Sequence, residues 1–264
     1  MYRWIILAFL ALCLALPAHA GSSAAGRPIL PAAEVAAFSD RVQKDLAARG
    51  VHVAIVARMG RNPAQLPKGL RYTHVSFWVL SKIKTADGRT GTGYRAYNLY
   101  QKDDNATRSH LVQDSPADFF AGAYRLDAGI IIPDARLQKK LLKVIASPTY
   151  AALHNPNYSV LANPNTSQFQ NCTEHTLDVL MAALYGTRDI AQIKANEAAH
   201  FKPQLIAVSG LQRAFAPAAS PALTTADHGA TVSTTTFEAI AAFMKKNKLA
   251  AKTYRLTPDK AYRF

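Results

Sequence analysis

Three runs of β-branched and aromatic residues follow one another in the first half of the chain, and they constrain the fold more than any other feature. Residues 51–58 (VHVAIVAR), 71–80 (RYTHVSFWVL) and 94–101 (YRAYNLYQ) have the length and composition of strands. A Gly/Pro-punctuated loop separates the first two. Residues 82–93, with Asp87-Gly88 and two more glycines, form a hairpin-like link between the second and third. Strands joined this closely, with no room for a crossover helix, pair antiparallel. Residues 128–132 (AGIII) add a short buried strand that ends at Pro133, and residues 201–208 offer another. Helical spacing of apolar residues appears at 31–50 (Val35, Phe38, Val42, Leu46), 134–146 (Leu137, Leu141, Leu142, Ile145) and 171–184 (Leu177, Leu180, Met181, Leu184). Further helices are read at 189–199 and 234–249, and Ser115-Pro116-Ala117-Asp118 has the form of a helix start. The fold class this predicts is α+β, an antiparallel sheet packed against helices.

The first 20 residues read as a cleavable export signal: Arg3, an apolar run to Leu16, and Ala18-His19-Ala20 as a small-x-small cleavage site. This places the mature chain in the periplasm or outside the cell. No later apolar run is long enough to span a bilayer. The expected plan is a signal at 1–20, a loose leader at 21–31, a domain at 32–210, and a basic extension with one helix at 211–264 packed on that domain. Within the extension, residues 213–225 read as an exposed crossing and residues 245–264 as a solvated tail, with seven Lys/Arg against the one acid Asp259. The whole chain carries a formal charge of +14. Such a protein is drawn to anionic surfaces, and for an exported one these are lipid head groups and acidic wall polymers. Nucleic acid is not an expected partner, because no recognition helix or aromatic–basic pattern accompanies the charge.

Cys13 falls inside the signal, so the mature chain keeps a single thiol, Cys172, which cannot form an internal disulfide. Cys172 opens a helix after a long polar loop at 155–170. There the helix dipole and free backbone N–H groups favour thiolate. A nucleophilic thiol needs a base, and the base needs an orienting group. His74 stands in the middle of an otherwise apolar strand, where an unpartnered ring is costly. Alternation puts Tyr72, His74, Ser76 and Trp78 on one, mixed face, and Thr73, Val75, Phe77 and Val79 on the other. Asn98 on the next strand is placed to orient the imidazole, with Gln101 as a fallback on the opposite face. His175, three residues after Cys172, is a rival base. No CxxC, HExxH or GxSxG occurs, nor the paired Cys/His spacing of a zinc site, so neither metal nor cofactor is expected.

An early His strand, a polar residue on the next strand and a late Cys at a helix start make an order that resembles the circularly permuted NlpC/P60-type, papain-like proteins. These include the lecithin–retinol acyltransferase-like enzymes. Asn171-Cys172-Thr173-Glu174-His175 looks like their Asn-Cys-Glu-His-Phe box with Thr173 inserted, and Thr73-His74-Val75-Ser76-Phe77 is similar to their His strand. The chain also resembles exported bacterial proteins grouped as domain of unknown function 2145. The similar segments are residues 53–60, Arg71-Tyr72-Thr73-His74, Asp118-Phe119-Phe120 through Pro133, and Leu153-His154-Asn155-Pro156-Asn157-Tyr158. The papain-like resemblance implies thiol acyl chemistry. Cys172 would attack a carbonyl of a cell-wall peptide or a lipid, His74 would carry the proton, and Asn98 would hold the ring. The Cys172 backbone N–H would meet the oxyanion, with Tyr72, Asn171 and His175 as further candidates around it. The competing expectation is a non-catalytic envelope protein that keeps the scaffold and binds peptidoglycan or lipid through its groove and its charge.

Overall fold

The computed structural model describes residues 28–84 and 88–263. The export signal at 1–20, Cys13 and most of the leader at 21–31 lie outside the described residues. Seven strands form one antiparallel sheet: β1 (Val53–Met59), β2 (His74–Lys84), β3 (Thr90–Gln101), β4 (Ser109–Asp114), β5 (Arg125–Pro133), β8 (Ala250–Leu256) and β9 (Ala261–Arg263). Their order is β4-β3-β2-β1-β5-β8-β9. A small ladder of β6 (Gln204–Ile206) and β7 (Val232–Thr234) stands apart.

Both faces of the sheet are covered. On one side lie α1 (Ala32–Ala48) and α2 (Pro116–Ala121). Val35, Phe38, Val42 and Leu46 of α1, with Phe119 and Phe120 of α2, bury Ala54, Val56, Trp78, Ala96, Ala128 and Ile130. On the other side α3 (Ala135–Ile145), α5 (Cys172–Tyr185) and α8 (Phe237–Lys246) pack on Val53, Ile55, Ala57, Val75, Phe77, Leu99 and Ile131. The split follows the pleat. Val56 is paired with Ser76 and Arg58 with His74, so these four side chains share the α1/α2 side, and the intervening residues point the other way. Each large apolar side chain withdrawn from water contributes roughly 1.5–3 kcal/mol, which gives the two layers comparable claims on the sheet.

Local chemistry sets the element ends. Asp134 caps α3, its Oδ1 accepting from the N–H groups of Arg136 (2.8 Å) and Leu137 (2.9 Å). Gly186, at φ 68°, ends α5 in the left-handed conformation that glycine adopts without strain. α8 ends differently: the residue with positive φ is Lys248, at 55°.

The second half of the chain departs from expectation in three places. Residues 210–219 form a helix, α7 (Gly210–Ala219), opened by a capping box between Ser209 and Gln212; the stretch is exposed as expected but is regular rather than a plain crossing. The last helix begins at Phe237, with Thr236 as its cap, because Val232–Thr234 is taken up by β7. The basic end is not a solvated tail: β8 pairs with β5 along Ala128–Pro133, and Tyr254 and Leu256 are core residues. Residues 211–264 thus supply a helix and two strands to the same sheet and core. The remaining helices are α4 (Pro148–Ala152) and α6 (Ile190–His200). Among the described residues no helix is long and apolar enough to cross a membrane.

Candidate functional site

The N-terminus of α5 is built around Asn171. Its Oδ1 accepts from the Glu174 N–H (2.9 Å) and the Thr173 hydroxyl (2.8 Å), and its Nδ2 donates to the Val160 carbonyl (3.0 Å). All of its side-chain atoms serve the cap and its anchorage, so Asn171 has a structural task. Cys172 is the first helical residue and only 5% exposed. Its carbonyl accepts from Thr176 Oγ1 at 2.9 Å, and its side chain belongs to the core on the α3/α5/α8 side, with Val75 and Phe77.

His74 lies on the other side of the sheet. Its Nε2 is 3.1 Å from Asn98 Oδ1, and its ring stacks on Tyr100 at 4.7 Å with 15° between planes. Asn98 Nδ2 donates to Asp114 Oδ2 (3.1 Å) and the Ala96 carbonyl (3.2 Å). The paired residue Arg58 is 2% exposed and donates to the Phe119 carbonyl of α2. Burial lowers its pKa; Tyr100, Cys172 and Asp114 oppose that shift. Burial, reinforced by the Arg58 charge, holds the His74 ring well below the usual histidine range, so it is neutral. The His74 face is therefore a packed layer under α2 rather than a cleft.

The structure brings His74 and Asn98 together and puts Cys172 across the sheet from both. A base must reach its nucleophile within roughly 2.6–3.2 Å, and a β-sheet separates these two groups. The reason is parity: the strand residues facing α5 are Val75 and Phe77, one position either side of Ser76, which shares the His74 face.

Two other expected members have different work. Tyr72 precedes β2 and so escapes its alternation. Its ring packs edge-on against Phe237 of α8 (5.0 Å), and its hydroxyl donates to Asp127 Oδ1 at 3.0 Å. His175 is buried against Tyr150, its Nε2 3.3 Å from the Tyr150 carbonyl, and burial lowers its pKa to about 4. It is a neutral core residue. Gln101 Nε2 donates to the Ala106 carbonyl at 2.6 Å.

Two features have no counterpart in the sequence reading. The first is a buried cluster between α5 and α6, in which Lys194 Nζ donates to Glu174 (2.7 Å), Asp178 (2.7 Å) and Glu197 (3.1 Å). The i,i+4 pair Glu174/Asp178 and the i,i+3 pair Lys194/Glu197 were the available signal. The second is α7, which buries none of its residues and leaves Leu211 (71%) and Phe215 (65%) exposed one turn apart. Among the described residues no group of His, Cys, Asp and Glu is arranged to hold a metal.

What emerges is an α+β protein with one antiparallel sheet enclosed by helices, an enclosed thiol and an exposed amphipathic helix. The chain belongs to the family described as uncharacterized proteins conserved in bacteria, DUF2145, which it matches over residues 45–244. No curated protein and no solved structure matches it.

Proposed function

We propose that this protein is a non-catalytic component of the bacterial cell envelope that docks on an anionic lipid surface through α7. The observation that carries this reading is the pair Leu211 and Phe215, exposed on a helix with no buried residue. A soluble protein gains nothing from holding a Leu and a Phe in water one turn apart. An interfacial helix does, because the apolar side chains enter the head-group boundary. The helix is held for that purpose: Arg213 reaches back to the Gly229 carbonyl (2.8 Å) and Thr225 Oγ1 (3.2 Å). Leu205 of β6 adds a further exposed apolar side chain, 69% accessible. The formal charge of +14 supplies attraction to anionic head groups. The signal-like first 20 residues support an envelope location.

Thiol acyl chemistry is not the reading favoured by the geometry, because His74 and Cys172 belong to opposite layers. Sedimentation with vesicles tests the proposal. The protein is expected to bind phosphatidylglycerol-containing vesicles, bind phosphatidylcholine vesicles weakly, and lose affinity as salt rises. The double substitution Leu211→Glu/Phe215→Glu should weaken binding at least tenfold, and Cys172→Ala should leave it unchanged. Undiminished binding by the double variant would overturn the assignment to α7.

A further inference from the structure

α3 turns a basic stripe to water. Arg136, Lys139, Lys140 and Lys143 stand at i, i+3, i+4 and i+7, so they share one side of the helix, with roughly 5.4 Å from one turn to the next. All four are exposed, Arg136 over 87% of its side chain. Leu137, Leu141 and Ile145, on the other side of the helix, are core residues. The stripe works against the helix that carries it. Like charges at these spacings repel, and Arg136/Lys139, Arg136/Lys140, Lys139/Lys143 and Lys140/Lys143 are all such pairs. Acidic neighbours do not offset them. Asp134 is committed to the helix cap and to Arg136 (3.4 Å). No Asp or Glu follows it in sequence before Glu174, which is buried. α1 treats its surface cations differently: Lys44 pairs with Asp40 (2.6 Å) and Arg49 with Asp45 (2.9 Å), each across one turn. The Asp134 N–H donates to the Leu249 carbonyl (2.8 Å), which brings the exposed Lys246 and Lys248 beside the start of α3.

We propose that the α3 stripe, extended by Lys246 and Lys248, binds a linear acidic polysaccharide. A chain in which each sugar ring carries a carboxylate presents an anion at short, regular intervals, as the stripe presents cations. Lysine meets a carboxylate as a point charge and demands no single geometry. A bilayer is the poorer match, because α3 keeps its apolar side chains in the core and offers none to the head-group boundary. A nucleic acid strand would find no aromatic ring on α3 to stack its bases. The surface is also separate from α7. Lys140 Nζ donates to the Leu184 carbonyl (3.0 Å), at the C-terminal end of α5. The other end of α5 is tied through Asn171 to Val160, and Val160 bonds to Ala222, just after α7. The 14 residues of α5 put about 20 Å between those ends. The inference therefore stands whether or not α7 enters a lipid surface.

Calorimetry with polygalacturonate on the full chain at low salt tests this. Saturable binding is expected, weakening as salt rises, with none to neutral dextran. The fourfold variant Arg136→Gln/Lys139→Gln/Lys140→Gln/Lys143→Gln should bind roughly tenfold more weakly or worse. Its thermal midpoint should hold or rise, because the repulsion along α3 is gone. The charge-matched control Lys68→Gln/Lys82→Gln/Lys84→Gln/Lys102→Gln, at exposed positions away from α3, should keep most of the affinity. Lys139→Glu/Lys143→Glu reads the same loss should the fourfold variant not fold. Equal weakening in the control, full affinity in the α3 variants, absence of saturation, or tighter binding of an oligonucleotide of equal charge would each overturn the proposal. So would a matching loss of binding to phosphatidylglycerol vesicles in the fourfold variant, which would make the stripe part of a lipid-facing surface.

Discussion

Asn98 links β2 to β4 through its side chain, because its Oδ1 accepts from His74 Nε2 and its Nδ2 donates to Asp114. Replacing it with alanine would leave the buried His74 ring nitrogen without its partner. The expected loss is about 1–3 kcal/mol, measured as a fall in the urea midpoint at constant slope. Lys248 makes the opposite case. It sits just past α8, where its N–H bonds to the Lys245 carbonyl and the Leu249 N–H to Met244, in the conformation that favours glycine. Lys248→Gly should therefore stabilise the protein by roughly 0.5–1 kcal/mol, read in the same titration. At this scale the sequence was informative about neighbours along and across strands. The contact between His74 and Asn98 follows from register and polarity alone. Which layer receives Cys172 does not, because that depends on the side of the sheet to which a loop of sixteen residues delivers a helix.

Elements with a strong period were legible. α1, α3 and α5 begin and end within a residue or two of their apolar stripes and caps, and β1 matches its β-branched run, whereas β3 starts four residues early, inside the expected hairpin link, and β5 three residues early. The elements that escaped notice are those whose composition points elsewhere. α7 is rich in alanine and proline and exposes its apolar side chains, so it carries no inward stripe. β4 (SHLVQD) alternates only weakly. β8 (AAKTYRL) lies in a basic run, yet Tyr254 and Leu256 face the core while Lys252 stays exposed. This makes the end of the chain structural. Truncation after Leu249 removes the whole ladder from Ala128 to Pro133 and the two core side chains Tyr254 and Leu256. The shortened protein should lose its cooperative thermal transition in circular dichroism, whereas a merely appended tail could be cut without effect.

Over the whole molecule, buried titratable groups shape stability in opposite directions. His154 and His175 titrate at about 4 when folded, against 6.5 as the ordinary value. His74 is also held well below 6.5. The unfolded chain therefore binds protons that the native one refuses. Stability from these sites is complete above pH 6.5 and is lost as pH falls toward 4. Glu197 behaves inversely. Burial raises it from 4.5 to about 10, so its share is complete below pH 4.5 and is lost as pH rises toward 10. Urea midpoints across this range should pass through a maximum. Glu197→Gln should flatten the alkaline side, and His175→Gln should lessen the acid loss. Persistence of an unchanged alkaline slope in Glu197→Gln would mean that the carboxyl is ionised in the native state.

Strand order also imposes a sequence of events in time. The outer neighbour of β5 is β8, more than a hundred residues further along. A chain made from its N-terminus can assemble β1 to β5, but the free edge of β5 waits for residues 250–256 to emerge. Until they do, the nascent protein offers an open hydrogen-bonding rim to whatever lies near it, and a holding factor that covers this rim would keep the unfinished sheet from pairing with another copy.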